Sequence, residues 1–505
     1  MDSAPDDGLF DEALVERAEI VDDSGVEARA GVNKRFRAFE PNAVMLVPPS
    51  LDEWLPSTHL SRFVADVVDT QLDLSRFYAS YGKAKGQPPY DPRLMVRILL
   101  YGYCVGVRSS RELERACEDV VAFRWLSGQQ NPDFRSIGRF RKRHLAALGN
   151  VFLQALELCR AAGMVSLGQV ALDGTKVRAN ASRHKAMSYQ RLTAKQKVLA
   201  AEVPALLAEA DAIDKGEDGR FGKDKRGDEL PAELARRQSR LVKLACAREQ
   251  LETDAAGKAR ELAENTARDR GADDDAATMK GEVAAEEAVV KPKAQRNFTD
   301  PDSRIMKTAD GSYHYCYTGQ AVVDSAHQVI VVNELNNVVV DVQQLLPMVE
   351  KTHETMGIHP GQILIDAGYC SNSNLEYVKA VEEQSGGQTE FFIATGRQKH
   401  DEADAAGDAV ALPAPTPTGP LPVNATLRER MAIKLKTERG AAVYARRKAI
   451  VEPVFGQIHT RQGKFLRLRG LEQAQHEWDL IAGCHNLMKL FTMQTKTARA
   501  TPALT

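Results

Sequence analysis

The chain has 505 residues, 43% of them hydrophobic, and a formal net charge of −2. That length exceeds what one hydrophobic core fills and suggests about three domains, while the balanced charge, taken over the whole chain, gives no sign of a nucleic-acid partner. The seven cysteines are odd in number, scattered and never paired as CxxC, which speaks against a disulfide framework or a zinc site and for a reducing compartment. No signal peptide opens the chain and no apolar run approaches the ~18 residues of a membrane span, so a cytoplasmic protein with no membrane partner is expected.

Charge by region is more informative than the total. Residues 1–45 read as a flexible acidic leader. Residues 46–160 are helical in pattern: LSRFVADVVDTQLDLSRFY has apolar residues at three-to-four spacing, PRLMVRILLYGYCVGV starts at Pro92, and SSRELERACEDVVAFRWL carries Ser109 or Ser110 as a cap with Glu112 in the first turn. The last helix of the run, FRSIGRFRKRHLAAL, presents Arg135, Arg139, Arg141, Lys142 and Arg143. Short helices ending in a basic one fit a helix-turn-helix-like DNA-binding domain; a bundle whose last helix is merely solvated fits the same pattern.

At 168–179 the pattern turns to strand alternation, GQVALDGTKVRA, and then breaks off for more than a hundred residues. Residues 185–296 are rich in Ala, Lys, Glu, Arg and Asp, with Leu and Val at helical spacing. They read as an inserted helical hairpin or coiled coil followed by a partly disordered acidic stretch around GADDDAAT. Strand character returns in YHYCYTGQAVVDS, HQVIVVNELNN, QILIDAG and TEFFIAT, with helices between the later ones. Residues 401–424 form a Pro/Ala/Gly linker, residues 425–493 are C-terminal helices, and 494–505 are a polar tail. From Thr426 to Gly470 twelve Lys/Arg stand against three Glu.

Without the insertion, residues 161–184 and 297–400 give strand, strand, strand, helix, strand, helix, strand. That order matches a ribonuclease H-like mixed α/β core, so the predicted fold class is α+β and multidomain: an all-helical DNA-binding domain, then a catalytic domain carrying a helical insertion. Asp173 falls on the first strand, Asp366 at the carboxyl end of the fourth and Glu452 on a later helix. Crossover connections can bring such positions into one crevice. Three converged carboxylates suit hard divalent cations, and two such ions about 3.5–4 Å apart serve in-line displacement at phosphorus. Singly, each acid has a plainer reading: Asp173 as a turn aspartate, Asp366 as a strand-end cap, Glu452 as one half of a surface ion pair worth about 0–1 kcal/mol.

The sequence resembles the DDE-class transposases of bacterial insertion sequences. The resemblance is carried, in order, by YDPRLMVRILLYGYCVGVRSSRELERACEDVVAFRWLSG, PDFRSIGRFRKRH, VALDGTKVRANAS, TDPDSRIM, YTGQAVVD, ILIDAGY, RRKAIVEPVFGQIH and RGLEQAQHEWDLIAGCHNLMKL. It implies that Asp173, Asp366 and Glu452 are the catalytic, metal-binding triad, with two Mg²⁺ ions, or Mn²⁺ in their place. It also implies that the helical domain binds the element's terminal inverted repeats, that DNA strands are cut and the 3′ ends joined to target DNA, and that a dimer or larger assembly forms on double-stranded DNA. A nuclease or a host-adapted DNA-binding protein on the same fold, without strand transfer, is the alternative.

The motif departs from its relatives in two places. Tyr444 and Arg447 sit one residue further from Glu452 than the common spacing, so that Lys448 could serve for Arg447, and His459 stands where relatives carry Lys or Arg. Lys448 and His459, at i−4 and i+7, share a helical face with Glu452. Arg447, Lys448 and His459 are therefore candidate phosphate contacts, and Arg461, Lys464 and Arg467 candidates for general DNA-backbone contact.

Overall fold

In the computed structural model the described residues are 20–21, 27–28, 50–81, 88–202, 204, 229–270, 272–396 and 425–500. Most of the acidic leader, all of the 401–424 linker and residues 501–505 lie outside them. The chain divides into two units, Met1–Trp54 and Leu55–Thr505. In the first, Ile20–Val21 pairs antiparallel with Glu27–Ala28, and Leu51–Trp54 makes one helical turn.

The second unit opens with helices α1 (Leu60–Asp66), α2 (Pro92–Val105), α3 (Ser110–Asp119), α4 (Val121–Leu126), α5 (Phe134–Arg143) and α6 (Val151–Ala161). Their boundaries follow from local chemistry. Asp91 caps α2 by accepting from the Arg93 amide at 2.7 Å, and Pro92 occupies the first turn, where its missing N–H costs nothing. Gly106, at φ 87°, ends the helix in the left-handed region. Ser109 and Glu112 form a capping box on α3, and Asp133 caps α5 through the Arg135 and Ser136 amides at 2.9 and 3.0 Å. α2 is buried on nearly every side, as its all-round apolar sequence requires, whereas α5 buries only Ile137 and Phe140.

The central sheet has six strands: β1 (Gln169–Arg178), β2 (Arg304–Lys307), β3 (Tyr313–Asp324), β4 (Ile330–Asn336), β5 (Gln362–Ile365) and β6 (Glu390–Ile393). Their order is β6-β5-β1-β3, and the far edge of β3 is shared by β2 at its start and β4 further along. β6, β5 and β1 are parallel; β3 runs antiparallel to β1, β2 and β4. Alternate residues face opposite cores. Ala171, Val177, Tyr317, Ala321 and Leu364 join the core shared with the helical region and the C-terminal helices. Val170, Leu172, Val322, Ile363 and Ile365 join a second core under α7 (Leu345–Met356) and α8 (Asn372–Gln384).

Three helices close the chain: α9 (Leu427–Lys436), α10 (Glu438–Gln462) and α11 (Leu471–Ala500). α9 and α10 are separated at Thr437, which ends α9 and caps α10 by accepting from the Gly440 amide at 3.0 Å. Pro453 lies well inside α10, past its first turn. A proline there leaves the carbonyl four residues back without its helical donor. That carbonyl, Ala449, accepts instead from Gln328 Nε2 at 2.9 Å.

The insertion is a helical bundle with a small core of its own. A helix over 189–202 runs antiparallel to Glu229–Asp269, with Leu192 and Leu199 against Leu244 and Leu251, and Tyr189 donates to Glu252 at 2.7 Å. The acidic stretch expected to be partly disordered is the start of a third helix, Asp274–Glu286. Asp273 caps it, and its acids face the positive end of the helix dipole. Two short strands, Ala186–Ser188 and Gln295–Asn297, pair at the base of the insertion.

Candidate active site

The parallel pairing of Leu172 with Ile365 sets the next residues, Asp173 and Asp366, side by side. By strand alternation both face the same core as Ala171 and Leu364, the side on which α10 packs. Glu452 comes from α10. All three acids reach one guanidinium: Arg447 Nη1 is 2.8 Å from Asp173 Oδ2, and its Nη2 is 3.5 Å from Asp366 Oδ1 and 4.0 Å from Glu452 Oε1. Arg447 is buried, while Asp366 and Glu452 are about half exposed. Lys448, the alternative offered by the spacing, is exposed.

Asp173 also accepts from the Gly174 amide at 2.8 Å. Burial pushes its carboxyl up to about 6, against the downward pull of Arg447 and that amide, and Asp366 adds to the upward push. A side chain at Gly174 has no room: its Cβ would stand 2.8 Å from Gln320 Nε2 and 3.0 Å from Asp341 Oδ1.

That contact exposes an acid missed in the sequence. Asp341, in the turn before α7, accepts from Gln320 Nε2 at 2.9 Å, and buried Tyr369 donates to the other end of the same amide. Burial holds the Asp341 carboxyl above its ordinary range, and neighbouring Asp366 adds to the shift. In the sequence VVVDVQQLL this residue reads only as a helix start. Its place beside Asp173 depends on how β3 and β1 pair.

Among the described residues no group of three His, Cys, Asp or Glu side chains is gathered closely enough to hold a metal as it stands. A guanidinium occupies the position between the acids instead. The donor set itself, carboxylate oxygens converging on a positive charge, fits a hard divalent cation.

The remaining candidates separate by location. His459 Nε2 lies 3.3 Å from Thr175 Oγ1 on β1, and burial, with Lys464 assisting, lowers its pKa to about 4. Near neutral pH it carries no charge. Arg461, two residues on, turns to the opposite side of α10, where its charge acts on buried His485 and on Lys489. Beyond α10 the chain runs along the end of β1: the Arg178 amide donates to the Lys464 carbonyl at 2.9 Å and the Leu466 amide to the Arg178 carbonyl at 2.8 Å. Lys464 is exposed there, while Arg467 lies over the Phe465 ring and 3.5 Å from Glu112.

On α5, Arg135, Arg139, Lys142 and Arg143 are exposed. Arg141 is half-buried and donates to the Arg108 carbonyl at 2.8 Å and Ser110 Oγ at 3.0 Å, so its guanidinium braces the helical region. The helical region is tied to the C-terminal helices by a fully buried pair, Arg108 Nη1 to Glu477 Oε1 at 3.2 Å. The second oxygen of Glu477 accepts from the Arg467 and Leu468 amides, each at 2.9 Å.

A helical region is thus followed by a mixed α/β domain with an acid cluster drawn from two neighbouring strands and α10. Residues 49–143 match a family model described as a transposase domain, and residues 292–487 one described as a transposase DDE domain. The chain belongs to the DDE-class insertion-sequence transposases, enzymes of DNA cleavage and strand transfer. Asp366 and Glu452 fall inside the DDE match, and Asp173 lies before it. No curated protein and no solved structure gives a match to this chain. No helix among the described residues is long and apolar enough to cross a membrane.

Proposed function

We propose that the chain moves an insertion sequence by cut-and-paste chemistry on a ribonuclease H-like core, with Asp173, Asp366 and Glu452 as its catalytic acids. The observation that carries this reading is the convergence of the three acids on Arg447, from two neighbouring strands and a helix. The strand order supports the core assignment: three antiparallel strands, β4, β3 and β1, followed by parallel β5 and β6.

Asp173, Asp366 and Glu452 would hold the divalent cations, Mg²⁺ or Mn²⁺, which when bound polarise phosphate and lower the pKa of the attacking water. The chain's own groups do the rest. Without the ions, Arg447 keeps Asp173 and Asp366 pointed at the position they would take. Gln320 and Tyr369 fix Asp341 beside them, adding negative charge that favours a cation. Water first cleaves the strand at the element end, and the freed 3′-hydroxyl then attacks a phosphodiester of the target. Arg135, Arg139, Lys142 and Arg143 on α5 would hold the terminal repeats, and two element ends call for at least a dimer on DNA.

The test is an in vitro reaction with the repeats flanking the gene, Mg²⁺ and a target plasmid. Cleaved and joined products are expected from the unaltered protein. Asp173→Asn should abolish cleavage and still shift the end fragment in a gel. Cleavage without joined product would sink the strand-transfer reading, and cleavage by Asp173→Asn would sink the triad.

A further inference from the structure

Beside the acids, along β1 beyond Asp173, lies a cleft of about 470 Å³. Gly174 and Thr175, the residues after Asp173, form one wall; Lys176, Lys307, His459 and Lys464 line the others. We infer that this cleft seats the phosphodiester backbone of the strand being cut, next to the reacting phosphate, through Lys176, Lys307 and Lys464. The inference rests on the transposase reading above and names a part of that same site.

Charge is the first reason. The cleft holds four cations, these three lysines and Arg178, against one carboxylate, Asp310. That carboxylate is already answered: Arg178 Nη2 stands 3.0 Å from it, and the Thr308 and Ser312 hydroxyls donate to it at 2.5 and 2.7 Å. Those hydroxyls, with the Ser312 amide, hold its carboxyl well below the usual range. None of the three lysines is in an ion pair among the described residues; Lys176 Nζ donates only to the Lys307 carbonyl, at 3.0 Å. Unpaired ammonium groups around one cleft call for an anion.

Geometry is the second reason. Lys176 lies three residues beyond Asp173, about 10 Å along the strand, and its charge is felt by Asp341. The cleft thus begins at the residue after Asp173 and runs on along β1. Thr175 Oγ1 and the neutral imidazole of His459, 3.3 Å apart, offer hydrogen bonds without further charge.

Elimination is the third reason. A carboxylate cluster repels DNA unless nearby cations offset it. Arg447 is paired with the acids, Arg461 faces the other side of α10 and His459 is uncharged, which leaves exposed Lys448, one turn before Glu452, as the free cation of α10 nearest the acids among the described residues. The β1 and β2 lysines, with Lys464, add the positive charge that α10 brings only through Lys448. Lysine heads, as point charges, suit a backbone read without regard to sequence.

The test uses the full chain and a duplex of arbitrary sequence. Acetylation of lysines by an amine-reactive ester, read by mass spectrometry with and without saturating duplex, should slow several-fold at Lys176, Lys307 and Lys464. Lys379, exposed on α8, should be unchanged. The Lys176→Gln/Lys307→Gln double variant should bind the duplex more weakly, with the slope of log Kd against log salt reduced by about two. If the duplex binds but leaves these lysines as reactive as before, the inference is overturned and the transposase reading stands. If inorganic phosphate at matched ionic strength protects them equally, the cleft is a small-anion site and the inference is overturned as well. Failure of the unaltered protein to bind duplex at low salt would count against the transposase reading itself.

Discussion

Arg447 is the side chain whose removal reports most directly on the acid cluster. At an effective dielectric near 20, unit charges about 4 Å apart attract by about 4 kcal/mol, so contacts at 2.8, 3.5 and 4.0 Å amount to more than ~10 kcal/mol in gross terms. Most of that offsets the cost of burying the guanidinium and of crowding three acids. Truncating one partner of a buried pair leaves a net loss of about 3–5 kcal/mol. Arg447→Met should therefore destabilise the protein by roughly 3 kcal/mol near neutral pH without divalent cations. Mg²⁺ at about 100 times its dissociation constant should return about 2.7 kcal/mol, a larger gain than in the unaltered protein, where the ion competes with the arginine. Urea midpoints with and without Mg²⁺, for Arg447→Met, Asp173→Asn and the double variant, measure both effects. The double variant should cost less than the sum of the two single ones. Additivity within about 0.5 kcal/mol, or an unchanged response to Mg²⁺, would refute the claim that the arginine and a cation share one position.

Two further substitutions test the frame around the site. The folded pKa of His459, about 4, lies below the ordinary 6.5, so the native state favours the neutral ring: its contribution to stability is present above pH 6.5 and lost as pH falls through about 4. Allowing for partial solvation of the ring, that contribution is about 1–2 kcal/mol, and His459→Gln should narrow the stability gap between neutral pH and pH ~4.5 by this amount; a gap of the same size in both proteins counts against it. Gln328→Ala leaves the exposed Ala449 carbonyl, beside Pro453, to water and should cost about 0.5–1.5 kcal/mol, with faster amide exchange in α10 around Ala449 as its local signature; unaltered exchange there would remove Gln328 from the account.

How much of this was legible in the sequence depends on which separation a contact spans. Asp366 ends a short apolar strand, QILI, and Asp173 lies on an alternating one, so their elements followed from local pattern. The helix around Glu452 was legible too. What no local pattern carries is register. Asp341 comes beside Gly174, and Lys307 into the cleft along β1, only because β3 pairs with β1 on one edge and with β4 and β2 on the other. Arg447 against Lys448 is a choice of one residue, a turn of about 100° on a helix, and the burial of Ile450, Val451 and Val454 in the sheet-facing core settles which one points inward. The break at Thr437 is hard to read from sequence because the good helix formers on either side conceal a cap.

The insertion sits between Asp173's strand and the strand it pairs with, and this shapes how the chain must fold. Val170 pairs with Asp324 across more than a hundred and fifty intervening residues, and closing so long a loop before any contact rewards it slows a chain. The pairing of Ala186–Ser188 with Gln295–Asn297, above a helical bundle with its own core, ties off most of that length. Once those helices have formed, β1 has only a short tether left to search. The segment that carries none of the acids would thereby set the rate at which the first of them finds its neighbours.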